Sequence, residues 1–197
     1  MKIGIIGAGA IGTTLAKHLT SAGYNIIISN SRGADTLTEK IKEIRGNSVA
    51  GSVQEAAEAD VIFLAVRWEH AQEALSAINL EDKILVDVTN GSVPEFDRGE
   101  PGSKTSSELV SQWAKGAKVV KAFNTLFANV LAENPQVGGG NRVIFYSGNH
   151  ADAKEVVSGI INHIGFAGID LGSLHEGGKL QRFPGGPLPT LNLIKLK

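Results

Sequence analysis

Three glycines near the N-terminus, Gly7, Gly9 and Gly12, have the clearest chemical meaning in this sequence. They follow an apolar run that begins at Lys2, and they open a helix-like stretch, 10–22. The first glycine permits a tight strand-to-helix turn, the second lets the backbone approach a phosphate, and the third permits close helix-to-strand packing. The N-terminus of the following helix carries unpaired N–H groups and about half a positive charge, which suit a pyrophosphate. The motif therefore predicts a dinucleotide site, and the alternative is a glycine-rich turn of another α/β protein.

The second apolar run, 24–29, ends where an NAD-binding protein carries an acidic residue for the ribose hydroxyls. Here the sequence reads Asn30, Ser31 and Arg32. No carboxylate repels a 2′-phosphate at this point, and a hydroxyl beside a guanidinium can form charge-assisted hydrogen bonds of about 1.5–3 kcal/mol. We therefore predict NADP rather than NAD as the cofactor. The alternative interpretation of Arg32 is a solvated loop residue.

A further group of candidates follows the apolar run 60–66. Residues at the carboxyl end of a central parallel strand lie beside the ligand in such sheets. Val66 and Trp68 are suited to form apolar walls, and the His70 imidazole is suited to donate a proton. The alternative is that His70 is an ordinary surface residue at a helix N-terminus.

Polar residues also follow the next two apolar runs. Thr89 and Asn90 offer hydroxyl, amide and backbone groups at the same sheet edge. Asn124 and Thr125 come where a nicotinamide carboxamide or its reaction partner would be held. Turn formation and helix capping are the alternative roles for residues of these types.

The elements that must position these residues alternate between strand and helix. Continuous apolar runs such as 60–66 and 83–88 are typical of buried parallel strands. The alternation predicts an α/β fold with a doubly wound, mostly parallel sheet, the NAD(P)-binding Rossmann fold, with a short C-terminal appendage. The helices predicted between the strands include 34–45, 67–78, 105–115, 126–132 and 151–164.

Two later segments differ in composition from this pattern. The segment 91–102 is rich in glycine and proline, and we predict a flexible rim or lid at the carboxyl edge of the sheet. We assign an NADP-binding domain to 1–172 and a tail to 173–197, in which we expect only the apolar run 191–196 to pack against the domain or a second subunit. We expect the tail to complete the site of the reaction partner or to form a contact in a homodimer.

Composition limits the remaining functional classes. The chain has 197 residues, 42% of them hydrophobic, which is enough for a buried core. A net charge of −1 gives no reason to expect nucleic acid or an anionic membrane as a partner. Cysteine is absent and no histidines show metal-ligand spacing, so we expect no metal site. Because no run resembles a signal peptide or a membrane span, we expect a cytoplasmic protein.

Taken together, five motifs resemble the NADP oxidoreductase, coenzyme F420-dependent family, and also the related oxidoreductase domain of the STEAP ferric reductases. The resemblance covers nearly the whole chain. The motifs are Gly7-Ala-Gly9-Ala-Ile-Gly12, Asn30-Ser31-Arg32-Gly33, Arg67-Trp68-Glu69-His70, Lys121-Ala-Phe-Asn-Thr125 and Gly185-Gly186-Pro187-Leu188.

The resemblance implies an NADP-binding enzyme whose hydride partner is a second cofactor, a deazaflavin such as F420 or a flavin such as FMN or FAD. Two departures bear on the identity of that partner: Arg67 stands where deazaflavin-dependent members have a proline, and those members differ over 121–125. An NADPH-dependent reductase of a small imine or carbonyl compound and a non-catalytic NADP-sensing protein are the alternatives.

The resemblance also implies positions for individual residues, with the pyrophosphate at Gly9, Ala10 and Ile11, and the 2′-phosphate at Ser31 and Arg32. The residues predicted to bind a cofactor are Gly7, Gly9, Ala10, Ile11, Gly12, Asn30, Ser31, Arg32, Val66, Trp68, Thr89, Asn90 and Ala122. The candidates for a role at the hydride-transfer site are His70, Asn124 and Thr125.

Overall fold

The computed structural model of the protein describes residues 1–91 and 103–196. The strands in these ranges are β1 (Lys2–Ile6), β2 (Asn25–Ser29), β3 (Ser48–Ala50), β4 (Val61–Leu64), β5 (Ile84–Asp87), β6 (Lys118–Ala122), β7 (Gln136–Val137), β8 (Gly140–Gly148), β9 (Ala167–Asp170) and β10 (Ile194–Leu196). The α-helices are α1 (Ala10–Ser21), α2 (Thr38–Ile44), α3 (Val53–Ala57), α4 (Ala71–Ser76), α5 (Ser106–Trp113), α6 (Ala128–Leu131), α7 (Ala151–His163) and α8 (Leu174–Leu180).

The strands form one sheet, in the order β3-β2-β1-β4-β5-β6-β8-β10, with β7 and β9 also paired to β8. The neighbouring pairs from β3 to β6 are parallel, whereas β8 runs antiparallel to β6. The strand order reverses between β1 and β4, and in a doubly wound sheet a ligand binds outside the carboxyl ends of the strands at such a point. The predicted fold, a doubly wound and mostly parallel sheet, is confirmed.

The core lies on both faces of this sheet, which explains why its parallel strands are continuous apolar runs. Neighbouring residues of β4 show the division. Phe63 packs in a cluster that includes Leu15 of α1, whereas Ile62 packs in a second cluster that includes Val110 of α5. Helices therefore pack on both faces of the central strands.

Two of the predicted helices begin differently from the prediction. The segment predicted as one helix over 34–45 starts as a 3₁₀ turn, Ala34–Leu37, before α2. The segment predicted over 67–78 likewise starts as a 3₁₀ turn, Trp68–His70, before α4. Residues 65–67 therefore separate the end of β4 from the 3₁₀ turn that begins at Trp68.

The C-terminal tail is more ordered than the sequence predicts. It contains α8 in addition to the packable run 191–196, and α8 contacts β8 and α5. The Thr105 hydroxyl at the start of α5 donates a hydrogen bond to the Leu174 carbonyl of α8, over 3.1 Å. At the end of the tail, β10 pairs antiparallel with β8. The expectation that only 191–196 could pack is therefore wrong.

The predicted rim or lid over 91–102 lies outside the described residues, except for Gly91. In the ranges that the structure describes, no helix is long and apolar enough to cross a membrane. The same ranges hold no group of three or more histidine, aspartate and glutamate side chains arranged to bind a metal ion.

Candidate functional site

The glycine motif forms the tight turn between β1 and α1 that the sequence predicts. Gly7 has a φ of 112°, and its N–H donates to the Ser29 carbonyl over 2.9 Å, so the turn is tied to β2. A Cβ added to Gly12 would overlap the Gly7 carbonyl oxygen. Gly9 differs, because a Cβ added there would meet no heavy atom within 4 Å. Two of the glycines are thus required by packing, whereas Gly9 faces open space.

The N-terminus of α1 lies at this open position. Gly9 is its N-cap, with no hydrogen bond from a side chain to cap the helix, and both Gly9 and Ala10 are exposed. Ile11 is partly buried and packs against the core. Because the first N–H groups of a helix have no partner within the helix, they are available to an anion here. The turn and the open Gly9 surface fit a dinucleotide pyrophosphate.

The loop after β2 presents Ser31 and Arg32, and Asn30 shapes it. The Asn30 Oδ1 accepts a hydrogen bond from the Arg32 backbone N–H over 2.9 Å, while its Nδ2 donates to the Thr36 hydroxyl over 2.9 Å. Ser31 and Arg32 are both exposed. The structure therefore gives Asn30 a role in holding the turn, and the Ser31 hydroxyl and the Arg32 guanidinium are exposed beside it.

On the other side of β1, Val66 and Trp68 are partly buried at the end of β4. The Trp68 ring lies 5.1 Å from the Trp113 ring of α5, centroid to centroid. A Cβ added to Gly91 would come within 2.9 Å of Trp68. Trp68 thus packs between α5 and the loop after β5, while His70 is exposed at the end of its 3₁₀ turn.

A buried polar cluster lies between the carboxyl ends of β5 and β6. The Lys121 ammonium is 3.1 Å from the Asp87 carboxylate, and the two side chains are 2% and 0% exposed. Lys121 also donates to the Thr89 carbonyl over 2.7 Å. Asp87 accepts from the Thr89 backbone N–H and hydroxyl and from the Ser107 hydroxyl. Thr89 is therefore fixed through both its backbone groups and its side chain.

A network of amide side chains joins β6 to the tail. The Asn124 Nδ2 donates to the Asn90 Oδ1 over 2.9 Å and to the Gln181 carbonyl over 2.7 Å. Asn90 returns a hydrogen bond to the Asn124 carbonyl. Gln181, which is fully buried, donates to the Asn124 Oδ1 and the Phe145 carbonyl and accepts from the Ser147 hydroxyl. The Asn124 side chain is thus engaged within the protein, and the exposed member of the network is Asn90.

The backbone next to Asn124 is unusual. Phe123, between Ala122 and Asn124, has a φ of 62°, which costs a residue with a Cβ on the order of 1–3 kcal/mol. Thr125 is 2% exposed, and its carbonyl accepts from the Thr190 N–H of the tail over 2.7 Å. The Thr125 hydroxyl has no hydrogen-bond partner among the described residues. Ala122, which was predicted to bind a cofactor, is fully buried and pairs with Tyr146 of β8.

The structure brings the candidates from β1, β2, β4, β5 and β6 together along one edge of the sheet. Asp87 and Gln181 were not among the candidates from sequence, and Lys121 was noted only as the first residue of a motif, without a role. A signal for Asp87 and Lys121 exists, because each is a charged residue inside an otherwise apolar strand. Gln181 gives no such signal, because its partners come from distant parts of the chain.

Comparison with known proteins gives the family. Residues 2–91 match the sequence profile of the family described as NADP oxidoreductase, coenzyme F420-dependent. The crystal structure of a hypothetical protein from Sinorhizobium meliloti is 43% identical, with a TM-score of 0.89, and the similarity covers 99% of this chain and 96% of that one. Residues 2–91 of this chain therefore belong to the NADP oxidoreductase, coenzyme F420-dependent family.

Two further proteins are similar to this chain. Metalloreductase STEAP3 of Rattus norvegicus is 31% identical over 192 residues, which cover 96% of this chain and 37% of that protein. The chain thus spans little more than a third of the curated metalloreductases that it matches. A crystal structure from Arthrobacter sp. FB24, named as a candidate F420-dependent NADP reductase, shares the fold at 24% identity and a TM-score of 0.74, covering 99% of this chain and 100% of that one.

Proposed function

We propose that this protein is an NADPH-dependent oxidoreductase that transfers hydride between NADPH and a flavin or deazaflavin such as coenzyme F420. The observation that supports the proposal is that two exposed sites suited to phosphate groups lie next to each other at the carboxyl edge of the sheet. The α1 N-terminus is uncapped behind Gly9, and Ser31 and Arg32 are exposed at the end of the adjacent strand β2. The first suits a pyrophosphate and the second suits a 2′-phosphate.

Different residues bind the two halves of the dinucleotide. The turn 7–12 and the N–H groups of α1 hold the pyrophosphate, and Arg32 pairs with the 2′-phosphate. The carboxyl ends of β4, β5 and β6 then face the nicotinamide half, where Val66 and Asn90 border the crevice. NADPH supplies the hydride when it is bound, and this chain supplies position and electrostatics.

We further propose that the C-terminal tail forms one side of the acceptor site. Gln181 and Thr190 tie the tail to the end of β6 through Asn124 and Thr125. The Thr125 hydroxyl, buried and without a partner among the described residues, is a donor suited to a polar atom of the acceptor. A planar acceptor at this edge would lie next to the nicotinamide half, as hydride transfer requires.

The test of the NADP assignment is a titration of wild type and Arg32→Ala with NADPH and with NADH, followed by cofactor fluorescence. A lost charge-assisted hydrogen bond of about 1.5–3 kcal/mol corresponds to a roughly ten- to hundredfold weaker Kd. We expect that loss for NADPH and an unchanged Kd for NADH. Lys42→Ala, which removes a positive charge from an exposed position on α2, is the control and should leave both Kd values unchanged. Equal weakening for both cofactors in Arg32→Ala would refute the assignment.

The test of the acceptor is NADPH oxidation measured side by side with coenzyme F420, FMN, FAD and a panel of small imines and carbonyl compounds. We expect turnover with a flavin or with F420. Turnover only with an imine or carbonyl compound would replace the proposed acceptor. Tight NADPH binding with no turnover would instead favour an NADP sensor.

A further inference from the structure

The buried ion pair of Asp87 and Lys121, between β5 and β6, carries a large desolvation penalty for a small domain. Removing a carboxylate and an ammonium from water costs several kcal/mol per ion, and replacing such a pair by apolar residues is often neutral or stabilising. The Asp87 and Lys121 side chains are 0% and 2% exposed. Stability alone therefore does not explain why two charges lie inside these strands.

The Asp87–Lys121 pair forms several hydrogen bonds with one residue after β5, Thr89. Lys121 donates to the Thr89 carbonyl over 2.7 Å, while the Asp87 Oδ1 accepts from the Thr89 N–H over 2.9 Å and from its hydroxyl over 2.7 Å. Ser107 of α5 donates to the other Asp87 oxygen over 2.7 Å. The first residues after β5 are thereby fixed to both β6 and α5.

The fixed loop leads directly to an exposed amide. Asn90 follows Thr89, is exposed, and exchanges hydrogen bonds with Asn124 at the end of β6. In a doubly wound sheet the β1–β2 half receives the adenosine portion of a dinucleotide, and the β4–β6 half receives the nicotinamide portion. The Asn90 amide is therefore on the nicotinamide side of the crevice.

We propose that Asp87 and Lys121 are positioning residues, which hold Thr89 and Asn90 against the nicotinamide half of bound NADP(H). The pair contacts the loop, and the loop contacts the cofactor. This proposal rests on the NADPH-binding function proposed above. It predicts that loss of the pair weakens ligands that contain the nicotinamide and spares ligands that contain only the adenosine half.

The experiment compares two ligands, NADPH and 2′,5′-ADP, which carries the adenosine and the 2′-phosphate without the nicotinamide. The main variant is Asp87→Asn with Lys121→Met, which removes both charges, keeps an acceptor for the Thr89 N–H, and removes the ammonium from the Thr89 carbonyl. We expect the Kd for NADPH to rise about tenfold and the Kd for 2′,5′-ADP to stay within twofold. The matched control is Lys118→Met with Asp152→Asn, which removes a surface pair from the opposite end of β6. The control should change neither Kd.

Ser107→Ala is a milder second variant, because it removes one hydrogen bond to Asp87 and leaves both charges paired. It should raise the Kd for NADPH at least twofold and leave the Kd for 2′,5′-ADP unchanged. If the double variant does not fold, this variant provides the test. An unchanged ratio of the two Kd values in the folded variants would overturn the proposal. If the wild-type protein binds neither ligand, the NADPH-binding function itself is wrong, and the two failures are thus distinguishable.

Discussion

Replacing Gly9 by alanine should separate folding from cofactor binding. Gly9 has a φ of −76° and a ψ of −170°, which alanine adopts without strain, and a Cβ built there has no neighbour within 4 Å. Alanine gains about 0.4–1 kcal/mol by restricting the unfolded chain, but it is a poorer helix N-cap than glycine by a similar amount. The two effects nearly cancel, so we expect the free energy of unfolding to change by less than about 0.5 kcal/mol.

Binding should respond much more strongly than folding. The added methyl group occupies the space through which a pyrophosphate approaches the α1 N–H groups. Loss of one hydrogen bond to a charged group is worth about 1.5–3 kcal/mol, which is a roughly ten- to hundredfold weaker Kd. Urea denaturation and NADPH fluorescence titration of the same preparation measure both quantities.

Gly12→Ala is the contrasting variant, because its Cβ overlaps the Gly7 carbonyl oxygen. Overpacking of this kind typically costs about 1–3 kcal/mol or more, so this variant should be destabilised even without cofactor. Wild-type affinity for NADPH in Gly9→Ala would refute the placement of the pyrophosphate over Gly9. Destabilisation of Gly9→Ala by 2 kcal/mol or more, on the order of the overpacking cost, would refute the inference that this position is open.

Two other predictions concern the tail and the response to acid. Gln181→Ala should lower the free energy of unfolding by about 1–3 kcal/mol, because buried Ser147 and Asn124 lose partners. It should also slow reduction of the acceptor by a larger factor than it weakens NADPH binding. A loss confined to NADPH affinity would contradict our placement of the tail. Burial raises the pKa of Glu108, but hydrogen bonds from the Thr105 N–H and from His175 outweigh burial and hold the pKa below the ordinary 4.5. A carboxyl with a depressed pKa stabilises the fold at higher pH and loses that contribution as the pH falls through the folded-state pKa. Urea denaturation should therefore show stability declining below about pH 4.5, with a shallower decline in Glu108→Gln.

The features to which we assign the dinucleotide were predictable from sequence because they depend on local backbone geometry. Gly7 needs a positive φ, and Gly12 needs the absence of a Cβ, and both requirements fall within one turn of the chain. The exposed positions of Ser31 and Arg32 follow from their place directly after β2. Such features are set by neighbours in sequence, and composition and spacing therefore reveal them.

The helix in the tail could not be predicted from its own sequence, because α8 contains Gly177 and Gly178. Each glycine disfavours an isolated helix by about 1 kcal/mol relative to alanine. In the folded protein a Cβ on Gly177 would overlap Ser147 of β8, and one on Gly178 would lie 2.9 Å from the Thr105 hydroxyl oxygen. The glycines therefore permit α8 to pack closely on β8 and α5, and tertiary contacts outweigh local preference.

The same distinction between local and distant contacts bears on how acceptor specificity can change within this family. Four polar residues of this site are buried and form hydrogen bonds with one another or with the residues after β5: Asp87, Lys121, Asn124 and Gln181. Removing one partner therefore leaves another buried polar group unpaired. Substitutions in that cluster should therefore lower the free energy of unfolding more than they change which acceptor is bound. Exposed positions around it, such as His70 at the end of its 3₁₀ turn, carry no such cost. With the acceptor placed as we propose, the buried network holds that side of the site in position, and exposed residues at its rim are free to determine which acceptor binds.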